Sequence, residues 1–348
     1  MSAYPPAKRP STAKPRTAPL DDPSVRLDWA IFVFSSREPV EVLAATVGSV
    51  LAEAAGRSMV LNVVVNGNPT LAAEISVQLR SRIDAPGGTR VRVWSVSLGD
   101  KAHAWNEAIH RLWVPAQCYL FVDGYVTLGR GALGFMQRSL DSAPGALAVT
   151  GLPRKGPSSA AVSRMLLEDG GIHGNVYALT AATVAELRRI AYRLPLGLYR
   201  NDSTLGAALS FGLNIHERSW NAKKRIAICN ELIWGVPTLD WWRPSHWRAY
   251  QRRRMRQAQG LLEIRAIRSL YSRRRQPFEA LPTTTLALVE NWIASDPADA
   301  ARTLAEHKLA RLALNLLRER KDWTVPEAAP DLLMDQFGGG AQDAPSRD

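Results

Sequence analysis

Between residues 27 and 123 four short apolar runs alternate with three segments of helical periodicity. That rhythm limits its possible folds more than any other feature. Trp29 to Phe34, Met59 to Val65, Arg90 to Val96 and Cys118 to Val122 read as strands. Val40, Leu43, Ala44, Val47, Leu51 and Ala54 recur at i, i+3, i+4 spacing, which predicts an amphipathic helix between the first two. A second helix runs to about Ile83 before Pro86-Gly87-Gly88 breaks it, and a third is predicted over Lys101 to Trp113. Apolar strands separated by helices of this length pair in parallel, with helices covering both faces of the sheet. The first half is therefore expected to be a Rossmann-like α/β layer.

The second half is less regular. Gly145 to Thr150 reads as a strand, and Gly170 to Leu179 has β character followed by a helix through Ala191. Leu213 to Glu217 and Arg225 to Cys229 are expected to pair as strands. Pro282 to Trp323 reads as helical, with Asp296-Pro297 as an N-cap and first-turn pair. Four segments result. Residues 1–26 carry six prolines without apolar periodicity and are expected to be disordered. Residues 27–240 form the α/β domain, 241–330 an Arg/Trp-rich and helical region, and 331–348 a disordered tail.

Charge is unevenly placed. The net charge is +12, and between Arg243 and Arg275 eleven arginines face one acid, Glu263. Such a stretch attracts polyanions (nucleic acid, anionic lipid headgroups or a diphosphate) or forms a solvated helical face. No helix-turn-helix, zinc-finger or RNP-type signature accompanies it, so no specific nucleic-acid partner is expected. Cys118 and Cys229 sit among apolar residues and read as buried thiols. The sequence has no apolar run of transmembrane length and no secretory h-region, which predicts a cytoplasmic protein.

Asp123 closes the fourth strand. In an open α/β sheet that edge borders the ligand crevice, so a lone carboxylate delivered there is a site candidate. Other segments carry further signals. Ile31 to Ser36 leads into Leu43 to Val50, and Val63-Val64-Val65-Asn66-Gly67 ends the second strand. Gly99-Asp100-Lys101 runs into Ala104-Trp105-Asn106-Glu107-Ala108-Ile109, and Asp123-Gly124-Tyr125 leads to Leu128-Gly129-Arg130. Further along are Gly170 to Leu179, Tyr199 to Gly206 and Tyr250 to Gly260. Together, across roughly residues 28 to 260, these resemble family 2 glycosyltransferases with the GT-A fold.

The resemblance implies a GT-A α/β fold with a mixed sheet. Its first half would bind a nucleotide-sugar and its second half would build the acceptor site. It implies inverting transfer from a UDP-sugar, with a GDP-sugar second, to a hydroxyl acceptor. Asn66 stands where the family's D-D-G-S acid contacts the base; a turn asparagine is the alternative. Lys101 and Asn106 lie in the segment similar to G-K-x-x-A-x-N-x-A and would contact the donor. Asp123 would approach the ribose or the metal. Tyr125 occupies the metal-binding aspartate's place in D-x-D, and a neutral phenol is a poor ligand for Mn²⁺ or Mg²⁺, so that cofactor is weakened. Asp202 matches the inverting base of E-D-x-x-L, with a plain helix N-cap as the alternative.

Arg254 corresponds to the second arginine of Q-R-x-R-W, and Met255 replaces its tryptophan. Trp241 and Trp242 would stack an acceptor sugar, or form a buried aromatic cluster or interfacial anchor. His246 would approach the diphosphate or a metal. Expected partners are a nucleotide-sugar donor, a glycan or lipid-linked acceptor and an anionic membrane surface, the protein lying peripherally at the membrane's inner face. A rival reading keeps the fold without catalysis, because Asn66, Tyr125 and Asn201 each replace a family acid.

Overall fold

The computed structural model describes residues 26–82, 88–153, 159–235, 244–319, 324, 326 and 328–338. The expected alternation is present. In chain order β1 (Leu27–Ser35), α1 (Val40–Leu51), β2 (Met59–Asn66), α2 (Pro69–Arg82), β3 (Thr89–Val96), α3 (Lys101–His110) and β4 (Ala116–Asp123) build the first half. Next are short β5 (Thr127–Leu128), α4 (Ala132–Asp141), β6 (Ala148–Pro153), α5 (Ser159–Asp169), β7 (Val176–Thr180) and α6 (Ala181–Arg189). Then come α7 (Asn201–Ser210), α8 (Ala222–Arg225), β8 (Ile226–Gly235) and the long α9 (Pro244–Ile267). Helices α10 (Thr285–Ser295), α11 (Pro297–Glu306) and α12 (Lys308–Glu319) precede the last strand, β9 (Asp331–Phe337).

Among the described residues the strands join one nine-stranded sheet in the order β5-β8-β6-β7-β4-β1-β2-β3-β9. The run β3-β2-β1-β4 is parallel, as buried βαβ units require; β7 enters antiparallel between β4 and β6. The sheet is therefore mixed, and its parallel half ends in one common edge that carries Ser35, Asn66 and Asp123.

Strand alternation splits the core in two. Trp29, Ile31 and Val33 of β1 face one side, with Leu43 and Val47 of α1, while Ala30, Phe32 and Phe34 face the other. On that second side Phe121 stacks on Phe32 at 5.6 Å and on Tyr177 at 5.1 Å, with Trp105 tilted above it at 6.2 Å. Leu262 of α9, Trp292 of α10 and Leu317 of α12 belong to the same buried cluster. The C-terminal helices therefore complete the core of the sheet. Among the described residues no helix is long and apolar enough to cross a membrane.

Three expectations are corrected. Leu213 to Glu217 is a series of turns, because Gly212 (φ +64°) and Leu213 (φ +55°) both take left-handed backbone that no strand accommodates. The strand predicted at Arg225 to Cys229 is β8, and it pairs parallel with β6 instead. Last, the segment expected to be disordered from residue 331 contributes β9, antiparallel to β3 at the sheet edge. Arg90 pairs with Asp335 and its guanidinium lies 4.6 Å from the centre of the Phe337 ring, while Met334 is buried. Those partners lie in β3, too far along the chain for local periodicity to register. The N-terminal segment 1–25 and residues 339–348 lie outside the described residues.

Candidate functional site

The site sits on the carboxyl edge of the parallel strands. Asp123 is the last residue of β4, and the chain turns so tightly there that only glycine fits next. A Cβ on Gly124 would lie 2.8 Å from the Ser35 Cβ and 2.9 Å from the Phe34 oxygen. The Gly124 N–H donates to the Phe34 carbonyl at 2.7 Å, and the Thr46 hydroxyl donates to the Gly124 carbonyl at 3.0 Å. These bonds clamp the exit of β4 to β1 and α1 and fix the carboxylate, which is 8 % exposed.

Helix α3 delivers a cation to it. The helix is capped by Asp100, which accepts from the His103 N–H at 2.7 Å and from the Gly197 N–H at 3.0 Å. Lys101, the first helical residue, pairs through its ammonium with Asp123 Oδ1 and also donates to the Gly174 carbonyl at 3.3 Å. The Tyr125 hydroxyl donates to the other oxygen, Asp123 Oδ2, at 2.9 Å. Burial first, then the Asp123 carboxylate beside it, hold the Tyr125 phenol well above its ordinary range, so it remains a donor.

This arrangement does not suit a resident Mn²⁺ or Mg²⁺. Such ions take several oxygen ligands, usually including carboxylates. Here one oxygen of Asp123 is held by an ammonium and the other by a phenol. Among the described residues no three His, Cys, Asp or Glu side chains converge to hold a cation. The positive charge at this point is Lys101.

The other wall comes from the second half. Gly170 (φ +76°) and Gly171 (φ +119°) turn the chain so that residues 170–175 form a loop before β7. In that loop Gly174 joins both walls, because its carbonyl accepts from Lys101 while its N–H donates to Asp202 Oδ2 at 3.1 Å. A Cβ at Gly174 would lie 3.1 Å from both Cβ and Oδ2 of Asp202. Asp202 is the second residue of α7; Arg200 is the N-cap and makes no side-chain cap bond. Asp202 is therefore not the helix cap. It is half-buried, and its second oxygen accepts from the Ser203 N–H at 2.8 Å. His173 packs on Trp234 with centroids 4.9 Å apart. Burial lowers its pKa, a push opposed by the carboxylates of Asp202 and Asp123 and joined by the charge of Lys101. The imidazole beside the two acids is therefore neutral at pH 7.

Two of the expected ligand contacts are placed elsewhere. Asn106 donates to the Leu194 carbonyl at 2.9 Å, accepts from the Leu194 N–H at 2.8 Å, and is buried. Its place is to pin the Leu194–Leu198 loop to α3. Asn66 is also buried; in the amide orientation that satisfies both atoms it donates to Ser35 O at 2.9 Å and accepts from the Asp100 N–H at 3.2 Å. It ties β1 to the cap of α3. Arg254 is exposed, with its guanidinium 6.0 Å from the Tyr250 ring. Arg256, two residues on and so on another face of α9, lies 5.7 Å from the Tyr199 ring, and Arg200 lies 5.4 Å from the same ring. Trp241, Trp242 and the side chain of His246 lie outside the described residues.

His173, Arg256 and Glu263 were not singled out by sequence. Glu263 is buried in α9 beneath the loop that precedes Asp202. One signal pointed there: an isolated glycine inside an arginine-rich helix, Gly260, marks a close approach of backbones.

No family model and no curated protein matches the sequence. Among solved structures the chain is similar to the mannosyltransferase PcManGT from Pyrobaculum calidifontis, determined in complex with GDP-Man and Mn²⁺. The TM-score is 0.51 at 16 % identity over 88 % of each chain. Residues 1–349 of TarS from S. aureus, in complex with UDP-GlcNAc, align with a TM-score of 0.43 at 12 % identity, over 90 % of this chain and 97 % of that one. The first likeness is one of fold: the chain has a GT-A-like α/β fold joined to a C-terminal helical region.

Proposed function

We propose that this protein is an inverting glycosyltransferase that moves a sugar from a nucleotide-sugar donor to a hydroxyl acceptor, with Asp202 as the base. The observation that carries the proposal is the Gly174 peptide, bonded on one side to the lysine that pairs with Asp123 and on the other to Asp202. Two carboxylates with different partners are thereby linked through one peptide. Asp123, with Lys101 and Tyr125 on it, takes the donor's ribose and diphosphate side. Asp202, half-exposed and free of any cationic partner among the described residues, faces the acceptor.

In the reaction the acceptor O–H proton passes to the Asp202 carboxylate as the oxygen bonds the anomeric carbon. The bond from that carbon to the nucleoside diphosphate breaks on the opposite face, which inverts the configuration. Charge builds on the leaving diphosphate, and fixed cations aimed there lower the barrier. Lys101, paired with Asp123, supplies one such cation, with Arg200 and Arg256 around Tyr199 as further ones. A UDP-sugar is favoured over a GDP-sugar. Trp241 and Trp242 are assigned to the acceptor, a glycan or lipid-linked precursor. The arginines of α9 would meet an anionic membrane surface from the cytoplasmic side.

One observation favours the rival, a non-catalytic protein that binds nucleotide, polyanion or a protein partner: both oxygens of Asp123 already have partners within the chain. A panel of UDP- and GDP-sugars decides between them. Turnover of one donor, with the product anomer inverted by NMR, supports the transferase. Donor binding with no turnover on any acceptor class supports the rival.

A further inference from the structure

Between Arg243 and Arg275 the sequence holds one acid, Glu263, and it is 0 % exposed. A carboxylate that deep needs donors, and three reach it. Oε1 accepts from the Tyr199 N–H at 2.9 Å and from Gln259 Nε2 at 2.7 Å, and Oε2 accepts from the Arg200 N–H at 2.8 Å. Gln259 also donates to the Gly197 carbonyl at 2.8 Å. Gly260 allows this approach, since a Cβ there would stand 2.8 Å from Arg200 Nε and 3.1 Å from the Tyr199 ring. Residues 259, 260 and 263 thus form one surface of α9 locked to residues 197–200.

Helix α7 begins directly after the locked segment, with Asp202 at its second position. A helix start leaves backbone N–H groups without partners, and a side chain at the N-cap usually takes one of them. Arg200 supplies none, and the two residues that lead into the helix, Tyr199 and Arg200, are held through their own N–H groups by a carboxylate 64 residues further along the chain from Tyr199. We propose that Glu263 is the positioning residue for Asp202: it sets where α7 begins and therefore where the base carboxylate stands relative to Gly174. The inference rests on the transferase reading for its catalytic consequence, though the clamp itself does not. It also gives the arginine-rich helix a task at the site that its surface charge does not reveal.

Burial pushes the Glu263 carboxyl up to about 7, against the lowering effect of the Tyr199, Gln259 and Arg200 bonds and the Arg200 charge. Both oxygens are used as acceptors, so a proton on either one displaces a donor.

The test is Glu263→Gln, which keeps the size but leaves one acceptor oxygen where two are needed. Amide hydrogen exchange at residues 199–203 should quicken by about tenfold, with the rest of the sheet unchanged. Transfer kcat should fall by about tenfold with donor KM within about twofold, because the base is displaced while the donor wall is untouched. The acid limb of the kcat–pH profile should move, and Glu263→Asp, which retains two acceptor oxygens, should recover part of the loss. Unchanged exchange at 199–203 overturns the inference. So does a kcat loss matched by an equal rise in KM and restored by low temperature, which would indicate general destabilisation. Faster exchange in a protein whose wild type turns over no donor would uphold the clamp and overturn the transferase reading, so the two failures are separable.

Discussion

The two walls of the site are built by different means. The donor-side wall, with Lys101, Asp123 and Tyr125, belongs to consecutive βαβ units: Lys101 opens α3, Asp123 closes β4, and Tyr125 lies in the turn that follows. The acceptor-side wall, with His173, Gly174 and Asp202, belongs to loops and a helix start held by partners far along the chain: Asp202 by Gly174, and the residues before it by Glu263. Both walls use tertiary contacts, but the first is anchored on strand and helix ends of the parallel layer, while the second depends on loops and a helix start that distant segments hold. The acceptor side should therefore be the more sensitive to distant substitutions and to pH.

The largest expected effect tests whether the walls share one core. Phe121 stacks between Phe32 of β1 and Tyr177 of β7, so Phe121→Ala should cost about 3–5 kcal/mol in denaturant unfolding. A single cooperative transition is expected, and two separated transitions would split the molecule into independent halves. Next is the pH dependence of stability. A carboxyl raised from 4.5 to about 7 makes the folded state hold its proton more tightly than the unfolded chain. Its contribution is fully present below pH 4.5 and is lost as pH rises through about 7, on the order of 3 kcal/mol. Glu263→Gln should remove that slope between pH 4.5 and 7, and an unchanged slope would show that another group carries it.

Two smaller effects address the walls separately. Gly174→Ala places a methyl 3.1 Å from Asp202 and should lower kcat by about tenfold with near-normal donor affinity; equal loss of both would merge the walls. Tyr125→Asp replaces the phenol on Asp123 by a second carboxylate. Titration calorimetry should then register Mn²⁺-dependent donor binding, a gain of a few-fold in affinity. No response to Mn²⁺ in that variant would place the obstacle in Lys101 instead.

The contrast also explains what could be read from the sequence. The four parallel strands, and Asp123 at the end of the fourth, are legible from periodicity and a short apolar run. The pairing of Lys101 with Asp123 becomes legible once α3 is known to begin at Lys101. Asn106 was legible as a helical residue but not in its role, since nothing local shows that its amide meets the Leu194 backbone 88 residues away. Glu263 read only as the odd acid in a basic run, and its burial depends on Tyr199 and Arg200 folding over it. Strand β9 was hidden for the same reason, because Arg90 and Phe337 become neighbours only when the sheet is complete. At His173, glycines that suggested β structure form a loop through their positive φ angles.

The division of labour between the two acids is the central claim, and one paired measurement addresses it. Asp123→Asn and Asp202→Asn would be compared for donor binding by calorimetry and for transfer under saturating donor. Asp202→Asn should bind donor like the wild type and lose about 10²–10⁴-fold in transfer, as expected when a general base can no longer accept a proton. Asp123→Asn should weaken donor binding while transfer at saturation changes little. Wild-type transfer by Asp202→Asn, or weakened donor binding in it with Asp123→Asn silent, would contradict the assignment.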